Sequence, residues 1–339
     1  MSTSTADTAV SQAEAVVEAA AGRRLVEAVR NRVAEVVVGQ DEVVERILIV
    51  LLSGGHLLLQ GMPGLAKTLL VNCVARAIDL RFQRVQFTID LLPGDIVGSE
   101  ILDPGGGFRV RQGPVFTNLL LADEINRASP KVQSALLEAM QERRVTIGTT
   151  THPLPAPFTV IATQNPIEQS GTFELPEAQL DRFMLCHRLA YPSLAEEGDI
   201  LRRNLALGLR REGAAAVPRT AFDAIRQESA VGVEALTAAM AAVQRVHVSE
   251  VFLAHCVELV RRTRECPDLE LGCSPRAGLA LVQAARARAF IHGRDHVLPD
   301  DCFALAKDVI LHRLRPTYEA LAEGRDARAT LQQLLGRSG

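Results

Sequence analysis

Gly61-Met62-Pro63-Gly64-Leu65-Ala66-Lys67-Thr68 follows the apolar run His56 to Gln60 and leads directly into Leu69-Leu70-Val71-Asn72-Cys73-Val74-Ala75. That order predicts a strand, a glycine loop and a helix. Such a loop binds phosphate: Gly61 and Gly64 let the backbone curl so that successive N–H groups point inward, and the first turn of the helix adds unpaired donors at a positive dipole end. The spacing puts Lys67 on the β- and γ-phosphates and offers the Thr68 hydroxyl to Mg²⁺. Ala66 stands where this pattern usually has its last glycine. If the position is left-handed, alanine costs about 1–2 kcal/mol there.

A phosphate cradle serves storage, sensing or hydrolysis alike, so metal ligation and water activation decide between them. Asn118-Leu119-Leu120-Leu121-Ala122-Asp123-Glu124 is an apolar run ending in two carboxylates. It reads as a fully buried parallel strand with its acids at the carboxyl edge, where ligands of open α/β sheets bind. Neighbouring strand residues face opposite sides, so the two acids are expected to divide the work. Asp123 is assigned to the Mg²⁺ shell through water, and Glu124 to polarising the attacking water.

Farther on, Ser129-Pro130 is expected to cap and start a helix with an apolar stripe of Val132, Leu136, Leu137 and Met140. Phe158 to Thr163 is another buried strand, ending in Gln164-Asn165-Pro166. If it neighbours the Asp123 strand in parallel, Asn165 reaches the same edge and can orient water or touch the γ-phosphate. Beyond Tyr191-Pro192-Ser193 the spacing turns helical, in Val246 to Arg264, Pro275 to Ile291 and Pro299 to Arg313.

The expected fold class is therefore α/β, a parallel sheet flanked by helices and followed by an all-helical lid. The expected division is a flexible tail over 1–24, a nucleotide domain over 25–195, a linker and lid start over 196–235, a helical lid over 236–325 and a C-terminal tail over 326–339. With 339 residues, two tyrosines, no tryptophan and a net charge of −3, nothing marks a nucleic-acid surface. The six cysteines lack the short paired spacing of zinc or redox motifs and read as reduced thiols of a cytoplasmic protein. The stretch Ile47 to Leu59 is too short and too broken by Ser53-Gly54-Gly55 to span a membrane.

Together these segments resemble the MoxR family of AAA+ ATPases. The resemblance rests on Val38-Gly39-Gln40, HLLLQGMPGLAKT at 56–68, RVQFTIDLLPGDIVG at 84–98, GPVFTNLLLADEINRASPKVQSALLEAMQE at 113–142, ATQNPIEQSGTFELPEAQLDRF at 162–183, GCSPRA at 272–277 and LHRLRP at 311–316. It covers about residues 35 to 318. The resemblance implies ATP and Mg²⁺ as ligands, with Gly39, Gln40, Gly61, Met62, Pro63, Gly64, Leu65, Ala66, Lys67, Thr68 and Asp123 contacting nucleotide and Thr68 and Asp123 serving the metal. Lys67, Thr68, Asp123 and Glu124 match the Walker residues, and Asn165 matches sensor 1. Arg182 resembles an arginine finger presented to a neighbouring subunit. Arg276 resembles sensor 2, acting in its own subunit or across the boundary. The segments 91–113 and 143–158 resemble inserts that face substrate.

The family also implies a homo-oligomer, a hexameric ring, a partner bearing a von Willebrand A domain and a client protein to be remodelled or matured. Two rivals stand beside this ATPase reading: a slow nucleotide-gated switch that binds partners, and a motor on nucleic acid, which charge and composition disfavour.

Overall fold

The structure is a computed structural model and describes residues 4–103, 107–166, 171–213 and 215–336. Its centre is a five-stranded sheet of β1 (Leu57–Gln60), β2 (Phe82–Gln86), β3 (Leu119–Asp123), β4 (Thr159–Gln164) and β5 (Leu185–Arg188). The order is β2-β3-β4-β1-β5, and every neighbouring pair is parallel. Side chains alternate between two cores. Leu57, Leu59, Leu121 and Ile161 enter one; Leu58, Leu120, Val160 and Ala162 enter the other. A strand buried on both faces must be apolar at every position, which is why β1 and β3 appear in the sequence as unbroken leucine runs. The α/β class is as expected, and the condition placed on Asn165 is met: β3 and β4 are parallel neighbours.

Helices cover both faces. α1 (Ser4–Val36), α2 (Asp41–Ser53) and α3 (Lys67–Ala77) lie on the side of the first core, and α4 (Pro130–Glu142) buries Val132, Leu136, Leu137 and Met140 in the second. Ser129 occupies the N-cap of α4, but its side chain makes no capping bond. Its carbonyl alone receives the first N–H groups, from Val132 and Gln133. Two hairpins leave the domain, Gly98–Leu102 with Phe108–Gln112 and Arg144–Ile147 with Thr150–Pro153. Asp103-Pro104-Gly105-Gly106-Gly107 reads in sequence as the turn of the first, and 104–106 lie outside the described residues.

The chain continues through α5 (Leu194–Ala206) into a lid of α6 (Val233–Gln244), α7 (Glu250–Glu265), α8 (Pro275–Ile291), α9 (Pro299–Ile310) and α10 (Ala327–Gly336). Three segments depart from the sequence expectations. The tail over 1–24 is helical from Ser4 on, since its Ala, Glu and Gln favour helix; Gly22 lets α1 approach the lid so closely that a Cβ would meet the Phe290 ring at 2.3 Å. The C-terminal tail is instead α10, which buries Leu331 and Leu334 in the main core. Within 196–235, where no strand pattern was expected, Leu209–Glu212 pairs with Ala215–Pro218. That hairpin is mostly exposed, so it carries no hydrophobic alternation to read.

Lid and nucleotide domain meet through buried charge. Arg46 of α2 donates to Asp308 of α9 at 2.6 Å, and His187 of β5 lies 3.2 Å from the other carboxylate oxygen. Among the described residues no helix is long and apolar enough to cross a membrane.

Candidate nucleotide site

The glycine loop leaves the carboxyl end of β1 and closes onto α3. Gly64 has φ +85°. Ala66, the N-cap of α3, has φ 55° and ψ 21°, so the position that usually carries glycine is left-handed here. The loop therefore does carry the alanine strain of about 1–2 kcal/mol. Lys67 curls back over the loop, its Nζ donating to the Gly61 carbonyl at 2.7 Å and the Met62 carbonyl at 3.3 Å. Burial pushes its ammonium below the ordinary lysine value, against the pull of Asp123 and Glu124. A half-buried cation whose hydrogen bonds go to backbone carbonyls is poised for an anion.

Asp123 closes β3 and is buried. Its Oδ1 accepts from Thr163 Oγ1 at 2.6 Å, while Thr68 Oγ1 lies 3.4 Å from Oδ2. Arg84 of β2 donates to that same Oδ2 from Nε at 3.1 Å and Nη2 at 2.7 Å. Glu124 departs from the expected strand alternation. The strand stops at Asp123, and Glu124 turns out of it through a left-handed conformation, φ 57° and ψ 51°, which starts the Ile125–Arg127 turn. The two acids are thus separated by backbone strain rather than by pleat, and both still line one cavity. Thr163 Oγ1 accepts the Glu124 N–H at 2.8 Å, which fixes that turn. The Glu124 carboxylate takes a hydrogen bond from Gln86 Nε2 at 2.8 Å and pairs with Arg127 at 3.2 Å.

The phosphate cavity, about 360 Å³, brings together the loop from Pro63 to Thr68, both acids, Arg84, Gln86 and Asn165. Asn165 is buried one residue past β4, between the loop strand and the acid strand. Across the loop lies an apolar cavity of about 340 Å³, walled by Val36, Val38, Gln40, Leu65, Ile200 and Leu207 among others. Gly64, Leu65, Ala66 and Leu69 border both cavities. One side suits phosphates and the other a flat apolar base. Gly39 and Gln40 are consecutive left-handed residues, φ 67° and 66°. A Cβ at Gly39 would strike Glu196 of α5 at 2.3 Å. Thr68 and Asp123 present hard oxygen donors side by side, which fits Mg²⁺.

Arg182 and Arg276 lie elsewhere. They line a separate cavity of about 290 Å³ with Gly54, Gly55 and His56, which precede β1, and Met184, which precedes β5. This is the amino edge of the sheet, a strand length of about 13 Å from the loop. No residue lining this cavity lines either of the other two. Asp181 organises it: Ser274 Oγ donates at 2.9 Å, Arg313 Nε at 2.7 Å, and Arg276 Nη1 stands 3.8 Å away. Ser274 caps α8, accepting from the Arg276 N–H. Arg143 and Arg313 are also on the wall, so four arginines line the cavity with one carboxylate; Arg143 Nη2 donates to the Gly54 carbonyl at 2.9 Å.

The sequence assigned no role to Arg84, Gln86, Thr163, Asp181 or Arg313. Arg84 and Gln86 did carry a signal, two polar residues at strand spacing on one face, but only the strand order shows that this face meets Asp123 and Glu124.

Residues 56–185 match the ATPase family associated with various cellular activities (AAA), and residues 261–334 match the AAA lid domain. The chain is 46% identical over 301 residues to Chaperone MoxR1 of Mycobacterium tuberculosis, covering 86% of this chain and 76% of that protein. It is 32% identical to Protein MoxR of Methylorubrum extorquens, covering 85% and 88%. The crystal structure of a presumptive ATPase of Cytophaga hutchinsonii superposes with a TM-score of 0.84 at 40% identity, over 97% of each chain. With a phosphate loop, a strand-end acid pair and a helical lid in one chain, the protein is an ATPase and belongs to the MoxR family of AAA+ proteins.

Proposed function

We propose that copies of this chain join head to tail in a closed hexameric ring, in the cytoplasm, whose Mg²⁺-dependent ATP hydrolysis remodels or matures client proteins with the help of a von Willebrand A domain partner. One observation carries the ring: Arg182 and Arg276 stand at the opposite edge of the sheet from Lys67. Neither can serve the γ-phosphate of its own protomer, whereas a head-to-tail neighbour brings one edge against the other. Arg276 therefore acts across the boundary, as Arg182 does.

Within one protomer the loop N–H groups and Lys67 hold the phosphates. Glu124 takes the proton of the attacking water, which Asn165 orients. Thr68 and, through water, Asp123 would hold Mg²⁺, which would supply charge neutralisation at the phosphates. Arg182 and Arg276 of the neighbour meet the charge that grows in the transition state. The related Chaperone MoxR1 supports the remodelling role by its name, and the exposed hairpin residues Leu102 and Phe108 are the proposed client contacts.

Sedimentation of the Glu124→Gln form with ATP and Mg²⁺ tests the assembly. A single closed species is expected, and monomer at every protein and nucleotide concentration would overturn the ring. The same trapped form, recovered from lysate, should hold a client.

A further inference from the structure

The Mg²⁺ ligand Asp123 already has a cation on it. Arg84 places two N–H donors on Oδ2, at 3.1 and 2.7 Å, and this is the oxygen nearest the Thr68 hydroxyl. A carboxylate oxygen offers about two lone-pair sites. Three donors therefore crowd the oxygen that the metal or its water needs, and Thr163 takes the other oxygen at 2.6 Å. The Arg84 side chain is 47% exposed and on an edge strand, with solvent into which it can move, while the Asp123 side chain is 11% exposed and also held by Thr163. Arg84 Nη2 also donates to Gln86 at 3.0 Å, and Gln86 holds Glu124.

The geometry points to Arg84 as a built-in counter-ion that competes with Mg²⁺ for Asp123 and must give up Oδ2 when the metal enters. It is a positioning residue: it keeps the carboxylate in place between nucleotides and sets how much Mg²⁺ retention of the nucleotide requires. Because Arg84 and Gln86 share a hydrogen bond, its departure also loosens the hold on Glu124. The inference rests on Asp123 being the metal ligand proposed above.

The test is a MgCl₂ titration of fluorescent mant-ADP binding to the full chain, with Arg84→Gln, Arg84→Lys and wild type compared. Arg84→Gln should reach half-saturation at about two- to fivefold less Mg²⁺, the fold-change a half-exposed ion pair holds back. Arg84→Lys, which keeps the charge but not the fork, should fall between. Binding in EDTA reports that each variant is folded, and Arg84→Lys decides alone if the glutamine form is not. A wild type indifferent to Mg²⁺ would remove the metal role of Asp123 and this inference with it. A wild type that responds, with the variants unshifted or needing more Mg²⁺, would overturn Arg84 as a competitor while leaving the metal site intact.

Discussion

The two ends of β1 differ in what they can do alone. At the carboxyl end, a strained loop, a half-buried lysine, two acids and an asparagine make a nearly complete phosphate site. At the amino end, about 13 Å away, Arg143, Arg182, Arg276 and Arg313 line one cavity with Asp181. One edge is built to hold phosphate charge in the ground state; the other carries more arginines than carboxylates, four against Asp181. In the proposed ring, chemistry that needs both is shared between copies.

The carboxyl end is broken most severely by Glu124→Gln. Turnover should fall about 10²- to 10⁴-fold, the worth of a general base, while ATP affinity stays unchanged because the residue acts on water alone. Loss of binding to match would show that Glu124 holds the loop together instead. Lys67→Ala should cost about 30- to 100-fold in nucleotide affinity, as expected for one charge-assisted bond, and equilibrium binding of mant-ATP measures it. Tight binding by this variant would remove the cradle assignment.

The amino end is sharpened by acid. His56, at the start of β1, lines the arginine cavity, accepts the Val160 N–H on Nδ1 at 3.0 Å and reaches the Met140 carbonyl with Nε2 at 3.2 Å. Burial holds its pKa down to about 4, from an ordinary 6.5. The unfolded chain therefore binds the proton first, so this contribution is intact above pH 6.5 and is lost as pH falls toward 4, by about 3 kcal/mol at most. Urea unfolding across that range should show the loss, and His56→Gln should flatten it. An unchanged slope in the variant would mean that other groups set the acid limit.

The smallest effect belongs to the loop. Ala66→Gly relieves left-handed strain of about 1–2 kcal/mol but frees the unfolded chain by about 0.4–1 kcal/mol. Net stabilisation of at most about 1.6 kcal/mol is expected in denaturant curves, with nucleotide binding kept. Destabilisation would mean that the alanine methyl packs usefully where it stands.

What could be read from sequence follows the same division. The loop, the acid strand and the Asn165 strand tip are contiguous segments whose chemistry is local, so residue spacing exposes them. Left-handed Ala66 and Glu124 are not visible, because a single φ leaves no periodicity behind. Arg84 and Gln86 depend on β2 pairing with β3, a fact of strand order. The shared place of Arg182 and Arg276 depends on α8 coming to rest over the amino edge, which joins residues far apart in the chain. Helices α1 and α10 were missed because alanine-rich and polar ends resemble tails until a core receives them.

The division of the site between copies is tested most directly by mixing Lys67→Ala with Arg182→Ala, each nearly inactive alone. In a random equal mixture about one interface in four pairs an intact Lys67 with a neighbour's intact Arg182, as head-to-tail closure requires. An arginine finger contributes roughly 10³- to 10⁵-fold in rate, so the mixture should hydrolyse ATP far faster than either parent, at up to about a quarter of the wild-type rate. Exchanged mixtures as inactive as both parents, beside wild-type subunits that survive the same treatment, would contradict it.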